Sequence, residues 1–264
     1  MTTTLITGGS SGIGLETAKC LAAQGHQLLL VAIDSAALTN AQKLLVESYP
    51  GVEVAVLATD LSVPANTQKV YDWALQQSQQ VDFLVNNAGF GTWGLVSDMD
   101  LEKETAMIQL HVTSLYRLTR LFLADMMRRN TGRIINISSV SAFQPNPRMA
   151  TYGATKSFVL QFSRALNQEL KETGSAVRVA AVCPTPVKAT GFQSVAGMSK
   201  SNLFHSWMVV TPNAVAQSIA KHLGTQKDMI IPGSSLFSGV YTLFKRLPDR
   251  WQILLSGAHL KPKS

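Results

Sequence analysis

The residues Thr7-Gly8-Gly9-Ser10-Ser11-Gly12-Ile13-Gly14 decide the fold of this chain. They follow an apolar strand candidate, Thr3–Thr7, and lead into a helix candidate, Gly12–Gln24. The first glycine permits a tight turn off the strand, the third lets the backbone approach a diphosphate, and the last lets the helix pack closely on the sheet. The helix start offers unpaired N–H groups and the positive end of a dipole to phosphates. This order predicts a dinucleotide site formed by Gly8, Ser10, Ser11, Gly12, Ile13 and Gly14.

Strands and helices alternate along most of the remaining chain. The further strands are predicted at Gln27–Ile33, Val52–Ala58, Val81–Val85, Arg133–Ser138, Val177–Cys183 and Met229–Ile231. The further helices are predicted at Ser35–Ser48, Ala65–Ser78, Leu101–Arg129 and Ala150–Thr173. The strands are rich in Val, Ile and Leu on both faces, which is typical of buried parallel strands. The chain is therefore predicted to be an α/β protein with a single-domain, Rossmann-like, doubly wound parallel sheet of about seven strands and helices on both faces.

Two later regions lose this alternation. Residues 184–210 are predicted to form a long loop, which is usually functional or mobile in a compact domain. We predict that this loop contacts the substrate. It belongs to a single domain that covers residues 1–232. Residues 233–264 form an extension in which apolar residues are interrupted by basic ones. We expect the extension to pack on the domain or on a partner subunit, and a membrane-surface anchor is the less favoured alternative.

Composition excludes several classes of protein. The chain is 46% hydrophobic and 15% charged, which excludes global disorder. The N-terminus MTTTLITGG lacks the features of a signal peptide, and no apolar run is long enough to span a membrane. Cys20 and Cys183 suit reduced thiols rather than a disulfide framework or a metal site, and we expect a cytoplasmic location. The net charge of +7 is interpreted as solvated surface, with no nucleic-acid partner expected.

Three motifs occur together in a fixed order. They are the glycine turn at 7–14, Asn86-Asn87-Ala88-Gly89, and Tyr152-Gly153-Ala154-Thr155-Lys156. In order and spacing they resemble the short-chain dehydrogenase/reductase superfamily, single-domain branch, over roughly Thr3 to Thr190. The resemblance implies an NAD(P)(H)-dependent oxidoreductase that moves a hydride between a nicotinamide and a carbonyl or alcohol. A nucleotide-sensing or scaffold protein, or an epimerase or dehydratase of the same fold, remains the alternative.

The chemistry of the third motif fits this activity. Tyr152 and Lys156 are four residues apart on a predicted helix and so share a face. A free tyrosine has a pKa near 10, and a neighbouring ammonium favours the phenolate. The resemblance implies that Tyr152 is the general acid/base, that Lys156 also binds the nicotinamide ribose, and that Ser139, rather than Ser138, holds the substrate oxygen.

Two positions depart from the family pattern. Many relatives carry an Asn where this chain has His111, and there it holds a water that links to the lysine. Histidine can also hold a water and relay protons, so His111 is a candidate catalytic residue, and a packed histidine without a catalytic part is the equal alternative. The second departure is Pro184-Thr185, where relatives usually carry Pro-Gly. Thr185 restricts the backbone at that point.

The end of the second strand bears on the choice of cofactor. Ala32 stands where NAD users tend to carry Asp, and Ile33 stands where NADP users tend to carry Arg. Asp34 falls late for a ribose contact and would repel a phosphate. The missing acid at Ala32 favours NADP(H) over NAD(H). The resemblance implies cofactor contacts at these two positions, Ile33 and Asp34, and also at Asp60, Leu61, Asn87, Ala88, Gly89, Tyr152, Lys156, Pro184, Val187 and Thr190.

The substrate is expected beside the nicotinamide, beyond the strand ends. Aromatic and thioether side chains could form its walls together with Ser139, and an apolar or bulky carbonyl or alcohol would suit them. An aromatic cluster in the core is the alternative, and no metal is expected. Relatives pair their two long helices between subunits, which implies a homodimer or homotetramer. The wall candidates are Phe90, Trp93, Phe143, Met149 and the segment Phe192–Trp207.

Overall fold

A parallel sheet forms the centre of the molecule in the computed structural model, which describes residues 1–188, 190–198, 209–233, 239, 243 and 247–260. Its strands are β1 Thr3–Thr7, β2 Gln27–Ala32, β3 Val54–Ala58, β4 Phe83–Asn86, β5 Arg133–Ile137, β6 Arg178–Val182 and β7 Met229–Ile230. Within the described residues the sheet has seven strands in the order β3-β2-β1-β4-β5-β6-β7, all parallel. The predicted fold class is confirmed.

Helices cover both faces of the sheet. They are α1 Gly12–Ala22, α2 Ser35–Ser48, α3 Asn66–Gln77, α4 Leu101–Ile108, α5 Leu115–Arg129, α6 Ala150–Glu172, α7 Phe192–Val195, α8 Pro212–His222 and α9 Asp249–His259. Leu5 and Ile6 on β1 point to opposite faces and belong to two separate apolar cores. One core includes α1, α2 and α8, and the other includes α3 and α5. This two-sided packing makes the sheet doubly wound. Among the described residues, no helix is long and apolar enough to cross a membrane.

The sequence analysis did not predict α8. Its start carries a local signal, because the Thr211 side chain accepts a hydrogen bond from the Ala214 amide and Pro212 occupies the first helical turn. Both features are typical of helix N-termini. Val187 and Val210 form an isolated parallel bridge, which joins the two ends of the loop at 184–210. Residues 199–208 of that loop lie outside the described residues.

The range Leu101–Arg129 is helical throughout, as predicted, but it is not one regular α-helix. A π-helical turn, Gln109–Ser114, separates α4 from α5. Such turns insert an extra residue and are frequent at functional sites. The turn carries two buried polar side chains, His111 and Ser114, each 1% exposed. Buried polar groups need hydrogen-bond partners, and the π-helical turn lets these side chains reach theirs. The Ser114 hydroxyl, for example, donates to the Leu61 carbonyl at 2.6 Å.

Candidate active site

A cleft of about 1070 Å³ opens where the parallel strands end. Its lining includes the residues that directly follow β1, β2, β3, β4 and β5, and Pro184, two residues after β6. The strand order reverses between β1 and β4, and ligands of doubly wound sheets bind at such a point. The cleft brings together the predicted cofactor residues Gly8, Ser10, Ser11, Gly12, Ile13, Ile33, Asp60, Leu61, Asn87, Ala88, Gly89, Tyr152, Lys156, Pro184, Val187 and Thr190. Gly14 and Asp34 are not part of this lining.

The glycine turn is held by a side chain from the neighbouring strand. Asn87 Nδ2 donates to the carbonyls of Thr7 at 2.9 Å and Gly8 at 3.2 Å. Gly14 is absent from the lining because it lies under the turn. A Cβ at this position would overlap the Gly8 carbonyl oxygen. Ser11 precedes α1 without a capping side-chain bond, so its hydroxyl and the first amides of the helix are not used by the helix itself. This arrangement fits the diphosphate of a dinucleotide.

The end of β2 presents an apolar side chain to the cleft. Ile33 is 70% exposed and lies in the lining. Asp34 is engaged elsewhere, since its carboxylate caps α2 by accepting a hydrogen bond from the Ala37 amide at 3.0 Å. The Asp60 carboxylate accepts from the Ser62 amide at 2.8 Å and stays at the edge of the cleft. Asp34 therefore already has one hydrogen-bond partner and lies outside the cleft lining.

Tyr152, Ser139 and Lys156 meet on one wall of the cleft. The Ser139 side chain lies near the Tyr152 hydroxyl and acts to lower its pKa, and the Ser139 oxygen accepts from the Ser141 amide at 3.1 Å. Lys156 Nζ lies 5.7 Å from the centre of the Tyr152 ring and donates to the Ile137 carbonyl at 3.0 Å. Ser138 is turned away, because its hydroxyl donates to the Lys156 carbonyl at 2.7 Å. The structure thus places Ser139 rather than Ser138 against the tyrosine.

Burial shifts the pKa values of the Tyr152 and Lys156 side chains on this wall. Desolvation raises the pKa of Tyr152 to about 12, and the nearby Ser139 side chain opposes that rise. Desolvation lowers the pKa of Lys156 to about 8. The Tyr152 hydroxyl therefore keeps its proton at neutral pH, beside a lysine that carries its charge below about pH 8.

Both ring nitrogens of His111 are engaged by protein groups. The Phe90 amide donates to Nε2 at 3.2 Å, so the proton of the neutral ring is on Nδ1. Nδ1 lies 2.9 Å from Thr155 Oγ1, whose own hydroxyl donates to the Tyr152 carbonyl at 2.8 Å. Desolvation, followed by the charge of Lys156, lowers the pKa of His111 well below its ordinary value. His111 is thus a neutral, fully bonded histidine, which matches the packed alternative raised from the sequence.

The substrate-wall candidates separate into two groups. Phe90, Met149 and Phe192 line the cleft, as Ser139 does. Trp93 does not line it, and its indole N–H donates to the Leu260 carbonyl at 2.9 Å. Phe143 packs against a different cluster, formed by Ala142, Leu160, Ala181 and Cys183. Residues 199–208 of the Phe192–Trp207 segment lie outside the described residues.

The sequence analysis missed the wall contributed by α9. Leu255, Ser256 and Leu260 line the cleft. The Ser256 hydroxyl donates to the Pro145 carbonyl at 2.7 Å, and Leu260 is packed in one cluster with Tyr152. The apolar spacing of the tail indicated a packed helix, but no residue pattern connects it to a site that the chain forms about 100 residues earlier.

Comparison with known proteins agrees with this geometry. The family model described as short chain dehydrogenase matches residues 2–199. The D-beta-hydroxybutyrate dehydrogenase of Cupriavidus necator is 32% identical over 182 residues, which are 69% of each chain. A putative ketoacyl reductase of the monensin polyketide synthase from Streptomyces virginiae is 36% identical over 193 residues, 72% of each chain.

A solved structure gives the same result for the fold. The short-chain dehydrogenase from Sphingobium yanoikuyae, determined in complex with NADPH, has a TM-score of 0.79 and 31% identity, covering 94% of this chain and 97% of its own. The sequence match, the seven-stranded sheet and the nucleotide cleft lead to one conclusion. The chain belongs to the short-chain dehydrogenase/reductase family and is an oxidoreductase that uses a nicotinamide cofactor.

Proposed function

We propose that this enzyme transfers a hydride between NADP(H) and the carbonyl or alcohol carbon of an apolar or bulky small molecule, with Tyr152 as the general acid/base. One observation supports this above all. Tyr152, Ser139 and Lys156 line the same cleft as the glycine turn, with Lys156 Nζ 5.7 Å from the centre of the Tyr152 ring. A hydroxyl donor and a dinucleotide site in one cleft are what carbonyl reduction requires.

Each side chain has a defined task in this proposal. The bound nicotinamide supplies or accepts the hydride. Tyr152 donates its hydroxyl proton to the substrate oxygen during reduction and accepts that proton during oxidation. Ser139 donates a hydrogen bond to the same oxygen as negative charge develops there. Lys156 binds the ribose and, through its charge, favours the phenolate form of Tyr152.

The lining supports an apolar substrate. Phe90, Met149 and Phe192 border the cleft near Tyr152, and Leu255 and Leu260 of α9 add a further apolar surface. Sites that bind small molecules are mostly apolar with a few placed polar groups. Among the described lining residues Lys156 is the one lysine or arginine, so a strongly anionic substrate is disfavoured.

We expect NADPH to bind more tightly than NADH, and Ile33→Arg to strengthen that preference about tenfold or more. A new guanidinium at this exposed position would pair with the 2′-phosphate, and a hydrogen bond to a charged group contributes about 1.5–3 kcal/mol. Cofactor fluorescence titration measures both dissociation constants. Ile33→Gln, which has similar length and no charge, serves as the control. Tighter NADH binding by the unmodified protein would overturn the NADP(H) preference.

The proposed activity is tested by the same titration followed by assays on a panel of carbonyl compounds and alcohols. We expect cofactor binding, and turnover that favours aliphatic or aromatic ketones over anionic keto acids. Binding of cofactor with no change in its redox state on any substrate would favour a nucleotide sensor. Conversion of a substrate without net cofactor oxidation would favour an epimerase or dehydratase.

We further propose that the enzyme is a homodimer or homotetramer in the cytoplasm. Tyr116 on α5 and Phe158 on α6 are 41% and 38% exposed, and both pack against Phe162. An exposed aromatic patch shared by two long helices is typical of a subunit interface. Cys20 and Cys183, both within the described residues, form no disulfide, which suits a reducing compartment. The contacts of α9 with the domain favour packing over a membrane anchor.

A further inference from the structure

Two side chains of one helical segment each join the same two parts of the active site. Glu104, on α4, accepts hydrogen bonds from the hydroxyls of Thr92 at 3.0 Å and Thr151 at 3.1 Å. His111, two turns later, joins the Phe90 amide to Thr155. One partner of each pair lies in the loop after β4, and the other lies on α6. We call Glu104 and His111 together the brace.

The brace surrounds the reacting side chain. Thr151 and Thr155 are one helical turn apart on α6, and Tyr152 lies between them. The Thr155 hydroxyl, which contacts His111, donates a hydrogen bond to the backbone carbonyl of Tyr152 at 2.8 Å. Of the two loop partners, Phe90 lines the cleft itself, and Thr92 follows it by two residues. The brace therefore fixes the distance between the tyrosine and a wall of the substrate pocket.

The packing around His111 leaves no room for an alternative position. A Cβ on Gly89 would lie 2.6 Å from His111 Nε2, so the ring rests directly on that glycine. The ring also meets Tyr152 edge-on, with centroids 5.9 Å apart. The π-helical turn at Gln109–Ser114 directs this side chain inward. A water that relays protons would have to displace one of these contacts.

We propose that Glu104 and His111 are positioning residues, which hold the loop after β4 against α6 so that the Tyr152 hydroxyl meets the substrate carbonyl. The proposal rests on the function proposed above. Neither side chain exchanges a proton with the substrate in this scheme. A shift of about 1 Å in a reacting group costs roughly 100-fold in rate, so loss of either contact is felt in catalysis.

The test compares Glu104→Ala and His111→Phe with the unmodified enzyme. We expect kcat for carbonyl reduction to fall by about 10-fold to 100-fold in both, with the dissociation constant of NADPH changed less than about twofold. Glu104→Gln should regain most of the rate, because its amide can accept from one threonine and donate to the other. Glu102→Ala is the matched control, since Glu102 is an exposed carboxylate on the same helix.

The pH profile separates positioning from proton relay. A positioning role leaves the inflections of kcat against pH unchanged in both variants. A shifted inflection in His111→Phe, with none in Glu104→Ala, would show a relay and overturn the proposal. Full activity in Glu104→Ala would overturn it equally. We expect the double variant, with Glu104→Ala and His111→Phe, to show a smaller fall in kcat than the product of the two single fold-changes. The reason is that both side chains connect the loop after β4 to α6.

Hydrogen exchange gives a readout that needs no turnover. The Phe90 amide is bonded to His111, so its exchange should accelerate at least about tenfold in His111→Phe and also in Glu104→Ala. Faster exchange in His111→Phe alone would mean that the two residues do not act together. If the enzyme reduced no carbonyl, the proposed function would fail while this result still decided the brace. If Glu104→Ala did not fold, Glu104→Gln and Thr92→Val would be judged by the same exchange measurement.

Discussion

Tyr152→Phe should lower kcat/KM for carbonyl reduction by about 10²-fold to 10⁴-fold, the range that general acid catalysis contributes. The variant removes one oxygen and keeps the ring, which packs between His111 and Phe192 with centroid distances of 5.9 Å and 5.4 Å. The fold and the cofactor site should therefore persist. Steady-state kinetics measures the loss, and fluorescence titration should show an NADPH dissociation constant within about twofold of the unmodified value.

The control for this variant is Tyr116→Phe. Tyr116 lies on α5, does not line the cleft and keeps its ring at the proposed interface in this variant, so loss of its hydroxyl should leave the kinetics unchanged. If Tyr152→Phe kept more than about a tenth of the activity, another group would have to supply the proton. The hydroxyl of Ser139, which lines the cleft beside Tyr152, would then be the first candidate to examine.

Gly14→Ala should weaken NADPH binding by at least about 100-fold. The new Cβ would overlap the Gly8 carbonyl oxygen and lie 2.7 Å from Asn87 Nδ2, so α1 must move away from the turn. The movement would separate the helix start and Ser11 from the diphosphate, and charge-assisted hydrogen bonds are worth about 1.5–3 kcal/mol each. Overpacking should also lower the free energy of unfolding by about 1–3 kcal/mol. Titration and urea denaturation measure the two effects.

Gly224→Ala is the matched control for the glycine variant. A Cβ at Gly224 would meet nothing within 4 Å, and its backbone needs no left-handed conformation. We expect both its cofactor affinity and its stability to equal those of the unmodified protein. Normal NADPH affinity in Gly14→Ala would show that the diphosphate does not bind at the start of α1.

Much of the fold follows from local pattern. The strands and helices through β6 were predicted within two residues, with one exception, because apolar periodicity and the glycine turn are local signals. The exception is the π-helical turn at Gln109–Ser114, where the partners of His111 and Ser114 decide the backbone. Those partners come from distant parts of the chain, so a reading of neighbouring residues cannot supply them.

The candidate active site likewise has parts that local sequence predicts and parts that depend on distant contacts. The nucleotide half and the Tyr152 wall lie in motifs whose spacing is visible in the sequence. The brace is invisible there, because Glu104 pairs with threonines 12 and 47 residues away. Asp34 shows what the sequence pattern cannot supply: its position suggested a cofactor contact, and the structure adds that one carboxylate oxygen caps α2. The cofactor contact itself stays a prediction.

The wall built from α9 has a consequence for the nascent chain. The residues of the glycine turn and of the Tyr152 wall all lie at or before Lys156, whereas Leu255 and Leu260 follow about 100 residues later. During synthesis most of the nucleotide half of the cleft therefore precedes the wall that α9 adds. Substitutions in α9 would change this wall while the glycine turn stays intact.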